Sequence, residues 1–313
     1  MNTAPSVSVV IPCYGSESTL PELVDRLHTA LPTISERYEV ILVVDDPPDG
    51  TWDVAQKLAE TYPLTRALQM SRNYGQQNAY FAGVRAARHE IIVTMDDDLQ
   101  HPPEEIGKLL EGLTEDVDLV YGVPKAEEHG FFRSLASRGV KRVMAKVLGI
   151  KHASSISSFR AFRSFLRKGF DNLRGSHGML DVTLSWATTR IKPVTIHMEK
   201  DEGNSSYTFK SLVRHAMNLL LGYSTKPLRF VTYLGGLVGL VGLGLLCYVI
   251  FDYFTNPDGR AAGWASLACM VAIFSAAQMI AVGVIGEYLG RLFTGSMGKP
   301  AYLVRQRVEK TRS

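Results

Sequence analysis

IIVTMDDDLQHPPEE, residues 91–105, is a largely β-branched run from Ile91 to Met95 that stops on three carboxylates, Asp96, Asp97 and Asp98. A continuous run of this kind is the pattern of a strand covered on both faces, and in an open parallel sheet ligands bind beyond the carboxyl ends of such strands. The triplet therefore stands at the expected ligand edge. Its first and third residues, Asp96 and Asp98, can both turn toward a hard divalent cation, which takes oxygen ligands and commonly bridges protein carboxylates to a substrate diphosphate. That predicts a Mg2+ or Mn2+ site for a nucleotide. The competing reading of three adjacent acids is a solvated turn ahead of a helix starting near Pro102 and Pro103, with Glu104 and Glu105 favourable in its first turn.

Working back toward the N-terminus, the same plan repeats. SVSVVIP, residues 6–12, reads as a strand closed by a proline, and CYGSESTLPELVDRLHTAL as a turn and an amphipathic helix. YEVILVVDDPPDGTW gives a strand over Val40–Val44 that ends on Asp45 and Asp46, then a helix through Ala55, Leu58 and Ala59 and a strand over Thr65–Met70. SRNYGQQNAYFAGVRAA supplies a further loop and helix before the triplet-bearing strand. Strands alternating with helices predict a mostly parallel sheet with helices on both faces, and two strands ending in acids at one edge build one acidic cleft.

Working forward, DLVYGVPK reads as another strand, and FFRSLASRGVKRVMAKVLGI as a helix with Val140, Val143, Met144 and Val147 on one face. Arg138, Lys141, Arg142 and Lys146 fall on the other, a pattern that suits either an anionic membrane surface or an ordinary surface helix. Residues 209–221 repeat the apolar stripe with Lys210, Arg214 and His215 opposite, and predict an interfacial helix running toward a bilayer. Two uncharged blocks follow, Phe230–Phe251 and Trp264–Ile285. At roughly 22 residues and about 1.5 Å per residue, each is long enough for a hydrocarbon core of about 30 Å. The connection between them carries only Arg260 as a base, against Lys226 and Arg229 before the first block and Arg291, Lys299, Arg305 and Arg307 after the second. By the positive-inside rule both termini, and with them the acidic cleft, face the cytoplasm. The basic tail after Gly298 reads as a strand or arm against the membrane or a neighbouring subunit.

Composition narrows the class. At 313 residues and 46% hydrophobic the chain can bury a sizeable core, and its net charge of +3 is too small to argue for a nucleic-acid partner. Cys13, Cys247 and Cys269 have neither metal spacing nor a disulfide framework, and MNTAPSVSVVIPCYG has no signal-peptide pattern. A nucleotidyltransferase would be expected to carry a glycine-rich basic loop after the first strand, where PCYGSEST has one glycine and no base. A processive polysaccharide synthase would need more spans to form a channel. A degenerate binding or scaffold module remains as the non-enzymatic alternative, opposed by intact Asp45, Asp96 and Asp98.

Taken in order, VSVVIPCYGSESTLPEL, VVDDPPDGTW, SRNYGQQNA, TMDDDLQHPPEEI, FRAF, YTFKSL, KPLRF and GEYLGR resemble the polyprenyl-phosphate glycosyltransferases among the family 2 enzymes, over nearly the whole chain. These include bacterial undecaprenyl-phosphate glucosyl and aminoarabinosyl transferases and dolichyl-phosphate mannose synthase. The resemblance implies an α/β GT-A (Rossmann-like) catalytic domain over residues 1–208, with the basic amphipathic helix at about 132–149. It also implies an interfacial helix at 209–228, a transmembrane hairpin at 229–290 and a cytoplasmic tail at 291–313, in the inner membrane. The implied reaction is inverting transfer of one sugar from a nucleotide diphosphate, such as UDP-glucose or alternatively GDP-mannose, to a polyprenyl phosphate. A tetramer is likewise implied by relatives.

Position by position, Asp96 and Asp98 match the metal and diphosphate site, with Asp97 between them. Asp45 takes the acid that contacts base and ribose, and Asp46 falls where glycine is usual. Pro12, Tyr14 and Glu17 match the loop used around the nucleotide, and Arg72, Asn73 and Gln76 match the SRNYGQ-like loop. Turn and cap chemistry is the plainer account of these. Arg133 and Arg160 are the candidates for holding phosphates, since guanidinium binds them in a bidentate way. Lys200 lies near the SKY-like stretch, which here is NSSYTF with Tyr207 kept and Ser206 in place of the lysine. The resemblance implies an acid a few residues before the FR pair, where this chain has SSISS, residues 154–158. Either the acceptor phosphate's own charge then suffices, or Asp181 substitutes as base.

Overall fold

The computed structural model describes residues 5–124, 155–170, 179–199, 226–255, 263–298 and 300–310. The chain divides into two compact units, Met1–Tyr207 with Gly298–Ser313, and Thr208–Met297.

In the first unit the strands are β1 Val7–Cys13, β2 Tyr38–Val44, β3 Thr65–Met70, β4 Ile91–Thr94, β5 Leu119–Pro124, β6 Arg160–Arg163, β7 Ile191–Ile196 and β8 Val304–Glu309. They form one sheet in the order β7-β5-β6-β4-β1-β2-β3-β8. β1 pairs in parallel with β2 and β4, and β2 with β3, which gives the parallel centre expected from the strand–helix alternation. β6 and β8 run antiparallel to their neighbours. Both faces are covered, which is why β1 and β2 are buried at every position. On one face Val9 and Ile11 of β1 and Val40 and Leu42 of β2 meet Leu20, Leu23, Val24, Leu27 and Leu31 of α1, Leu20–Ile34. The three- and four-residue spacing of those leucines makes one helical stripe. α2, Thr51–Thr61, adds Ala55 and Ala59 to that face, and α4, Ile106–Gly112, adds Ile106 and Leu109.

Val10, Ile41 and Val43 point the other way and meet α3, Gln76–Ala86, and α5, Leu180–Ala187. α3 lies close to the strands because Gly83 has no side chain. A Cβ there would stand 2.2 Å from Val10 Cγ1 and 3.0 Å from Val43 Cγ2.

The tail meets one expectation in part. Val304–Glu309, read as a strand or arm against the membrane or a neighbouring subunit, is a strand, β8, and its partner is β3 of the chain's own sheet, to which it pairs antiparallel. An unpaired β3 would leave an open sheet edge, and the charged sequence VRQRVE suits the exposed position that results.

Among the described residues the second unit holds two helices, α6 Lys226–Thr255 and α7 Trp264–Ser296. Within them Leu228–Asp252 and Ile273–Ser296, with mean hydropathies of 2.3 and 1.4, are long and apolar enough to cross a membrane. Leu240, Leu246, Ile250, Ile280 and Leu292 are exposed on them, a surface suited to hydrocarbon. α7 runs past the expected end at Ile285, through Glu287 to Ser296. The helices pack at Gly242, where a Cβ would meet the Phe274 ring at 2.6 Å.

Candidate active site

The carboxyl ends of β1, β2 and β4 lie at one edge, with Cys13 beside Val44 and Val10 beside Thr94. Three loops leave that edge and bond to one another. Tyr14 N–H donates to Asp97 Oδ2 at 3.0 Å, and the Thr19 hydroxyl to the Asp97 carbonyl at 2.8 Å. Ser16 N–H donates to Thr51 Oγ1 at 3.0 Å, and Gly50 N–H to Glu17 Oε2 at 3.0 Å. Asp97 and Glu17 therefore fix the loop after β1 against the other two. Tyr14 leaves its ring 54% exposed, free to cover a flat ligand, whereas Pro12 is buried within β1 opposite Val43. Pro12 thus shapes the strand end and offers no surface to a ligand.

Asp45 also differs from its expected role. It is 3% exposed, and its carboxylate accepts the N–H groups of Tyr74 at 2.8 Å and Gly75 at 2.6 Å. Its position is that of a clamp on the loop after β3, and burial pushes its carboxyl above the ordinary range despite those two donors. Asp46 has φ of 47°, in the left-handed region that favours glycine and tolerates aspartate. That matches the glycine expected at this position. In the clamped loop Asn73 Oδ1 accepts Gly75 N–H at 3.1 Å, and Arg72 lies 4.5 Å above the Tyr74 ring with its side chain exposed.

Asp96 is the hub. Its Oδ1 accepts Gln76 Nε2 at 2.8 Å and the Tyr80 hydroxyl at 2.6 Å, and its Oδ2 accepts the Ser158 hydroxyl. Asp96 N–H donates to Nδ1 of His101 at 3.2 Å; burial lowers the pKa of His101, which favours the neutral ring able to accept that bond. Asp98 is exposed and accepts Gln100 N–H at 3.1 Å. Burial raises the Asp97 carboxyl above the ordinary aspartate range, and the protein around the base of the otherwise exposed Asp98 side chain does the same there, against the pull of these N–H donors. Tyr80 is pushed well up, by burial first and then by Asp96, so its phenol stays protonated. Tyr80, Ser158 and His101 were not expected from the sequence. Tyr80 had a signal, standing four residues after Gln76 and so on the same helical face.

Two expected catalytic residues take another role. Arg160 is 1% exposed, with Nε on Thr94 Oγ1 at 2.8 Å and Nη1 paired to Asp181. A guanidinium so enclosed cannot hold a substrate phosphate. Asp181 is 7% exposed and also accepts the Tyr121 hydroxyl at 3.0 Å, so it is the buried partner of Arg160 and not a free base. Burial opposes the charge on Arg160, and Asp181 restores it. Arg133, Arg138, Lys141, Arg142, Lys200 and Tyr207 lie outside the described residues, as do the expected helix at 132–149 and residues 209–225 of the interfacial helix.

The donor set suits a hard cation. Among the described residues no group of three or more His, Cys, Asp or Glu side chains converges as a cage. Mg2+ is commonly held by one or two carboxylates, with substrate phosphates and water completing the shell. Asp96, with one acceptor direction left on Oδ2, and exposed Asp98 are the residues that would hold it.

Residues 8–171 match the model of glycosyl transferase family 2. The chain belongs to that family. This glycosyltransferase is 31% identical to the undecaprenyl-phosphate 4-deoxy-4-formamido-L-arabinose transferase of Klebsiella pneumoniae, over 97% of this chain and 94% of that one. It is also 31% identical to the enzyme of the same name from Pectobacterium carotovorum, with the same coverage. Among solved structures, the glucosyl-3-phosphoglycerate synthase of Mycobacterium tuberculosis, in complex with Mn2+ and uridine diphosphate, superposes with a TM-score of 0.54 at 16% identity, covering 70% of this chain and 80% of that one. Mannosyl-3-phosphoglycerate synthase from Rubrobacter xylanophilus gives 0.51 at 14% identity, covering 69% and 72%. These share the GT-A fold.

Proposed function

We propose that this glycosyltransferase moves one sugar, with inversion, from a uridine diphosphate sugar to undecaprenyl phosphate at the cytoplasmic face of the membrane. The observation that carries the reading is a likeness to undecaprenyl-phosphate transferases that runs through 97% of the chain, helices α6 and α7 included. The acidic edge supplies the matching chemistry. A lipid phosphate, with a second pKa near about 6, is already ionised at neutral pH and attacks the anomeric carbon without a strong base. Asp181 is then not needed as a base, in keeping with its pairing to Arg160. Catalysis rests on positioning. Tyr14 covers the base, Asp97 and Glu17 hold the loop beneath it, and Asp45 keeps the opposite loop in place. When bound to Asp96 and Asp98, Mg2+ or Mn2+ supplies the charge that neutralises the departing diphosphate.

The membrane placement has its own support. The chain leaves the sheet after β7 and rejoins it at β8, so two crossings return it to the side it left. With Lys226 and Arg229 before the first span and Arg291, Lys299, Arg305 and Arg307 after the second, the positive-inside rule supports reading that shared side as the cytoplasm.

The test uses detergent-purified protein with undecaprenyl phosphate, Mg2+ or Mn2+ and a panel of labelled uridine and guanosine diphosphate sugars, counting label in the lipid extract. Metal-dependent label from a uridine donor is expected. Label only from GDP-mannose would replace the donor, and absence of both transfer and nucleotide binding would leave a membrane scaffold as the better account.

A further inference from the structure

We infer that Tyr80 and Ser158 are positioning residues that fix Asp96 so that it meets a divalent cation through Oδ2 alone, with the buried Arg160–Asp181 pair locking Tyr80 from behind. The inference rests on the cation reading of this edge.

A carboxylate has about four acceptor directions. On Asp96, Oδ1 receives two donors, Gln76 Nε2 at 2.8 Å and the Tyr80 hydroxyl at 2.6 Å, and Oδ2 receives Ser158. Among the described residues that leaves one direction, on Oδ2. A carboxylate held at three points cannot rotate to present both oxygens, so its contact with a cation is through one oxygen in one orientation.

The three donors are unequal. Gln76 is exposed on a flexible side chain, and among the described residues its amide is bonded to Asp96. Tyr80 is 1% exposed, with the Arg160 guanidinium 5.1 Å from its ring centroid. Arg160 is itself fastened to Thr94 Oγ1 at 2.8 Å and to Asp181, whose Oδ1 also takes the Tyr121 hydroxyl at 3.0 Å. Thr94 is the last residue of β4, two before Asp96, and its hydroxyl donates to the Ser158 carbonyl at 2.7 Å. The phenol from α3, the hydroxyl ahead of β6 and the carboxylate beyond β4 are therefore members of one rigid assembly. A buried tyrosine hydroxyl needs some partner. Here the partner is a carboxylate on the ligand edge, when a backbone carbonyl would have served packing equally well. Ser158, the last residue of the SSISS stretch, acquires a role through its bond to Asp96.

A merely structural tyrosine and a positioning one differ in what they move. The experiment measures Mn2+ binding to full-length protein in detergent by electron paramagnetic resonance of the free ion, with Mn2+ alone and with UDP. Thermal melting of each variant is measured in parallel. Tyr80→Phe keeps the ring and loses the donor; it is expected to weaken Mn2+ about 10–100-fold, the cost of losing an outer-shell partner, while UDP binding in EDTA stays at the wild-type value. Tyr62→Phe, which removes a phenol bonded to the distant Asp25 carboxylate, is the matched control and leaves Mn2+ affinity unchanged. Ser158→Ala is expected to weaken Mn2+ and Ser158→Thr to restore it, an outcome that decides the matter if Tyr80→Phe fails to fold. Wild-type Mn2+ affinity in both Tyr80→Phe and Ser158→Ala, or no Mn2+ binding by the wild type, overturns the inference. Weakened Mn2+ in these variants together with no sugar transfer by the wild type would instead uphold it and remove the proposed reaction, so the two fail separately.

Discussion

Arg160 holds a full charge where water does not reach, and its energetics follow from that. Removing one member of a buried pair leaves the other uncompensated, at about 3–5 kcal/mol, while replacing both by apolar residues of similar size is often near neutral. Arg160→Met is therefore expected to lower the stability of the sheet unit by that amount, and Arg160→Met/Asp181→Leu to recover most of it, as read from urea midpoints. A phosphate-binding arginine would behave differently, raising KM in a stable protein. Asp98 is the contrasting case, exposed and bonded to the adjacent loop. Asp98→Asn should leave the melting temperature unchanged and cut transfer by more than the roughly 10–100-fold that an outer-shell loss costs, in the lipid-extract assay. Retained activity would remove it from the cation site. The sequence distinguishes these residues poorly because both are charged residues in motifs at the same edge. What separates them is burial, and burial of Arg160 depends on α5 and β5 arriving from residues 119–187. The DDD triplet was legible since a strand pattern fixed its place. Ser158 was not, because a lone hydroxyl has no signature until a carboxylate stands beside it.

Among elements, the legible ones had a face to bury on each side. β1 to β4 are apolar runs separated by helical stripes, a pattern that calls for parallel pairing in one covered sheet. β6 and β7 lacked such a signal. RAFR is four residues carrying two arginines, and IKPVTI contains a proline. Among the described residues β7 pairs with β5 alone, so Pro193 sits on an edge strand, where a missing N–H is tolerated. The helix that fixes the site is α3, which carries Gln76 and Tyr80 to Asp96 and depends on Gly83 to approach the strands. Val10 is β-branched and stiff, and the methyl of Gly83→Ala would fall 2.2 Å from its Cγ1. The substitution is expected to cost about 1–3 kcal/mol by overpacking and, by lifting α3, to weaken Mn2+ as well. Urea midpoints and Mn2+ titration measure the two; a fully stable Gly83→Ala protein would mean that the contact relaxes without moving the helix.

For the whole molecule, the decisive feature is that the chain comes back to its own sheet after the apolar helices. β8 does more than fill an edge. Glu309 pairs with Arg66 at 3.1 Å and Arg88 at 2.9 Å, while Arg66 is also bonded at 2.7 Å to buried Glu39. Although burial disfavours its charge, Ser8, Arg66 and the Arg88 N–H hold the Glu39 carboxyl below its ordinary value of 4.5. A carboxyl depressed on folding stabilises the native state above its unfolded pKa, and that stability drains as pH falls through the folded one. Melting temperature should therefore drop on acidification below about 4.5, and Glu39→Gln should lose that part of the dependence. The C-terminal strand is tested by truncation after Gly298, which keeps both apolar helices and removes β8. β3 would then present a row of unpaired backbone groups over apolar Ala67 and Leu68, and Arg66 would lose one of its two acids. Exposed edges of this kind recruit other strands. The truncated protein is expected to melt lower than full length in the same detergent and to self-associate on size exclusion. Equal melting and a single unchanged peak would mean that β3 tolerates an open edge and that β8 adds nothing to the stability of the sheet.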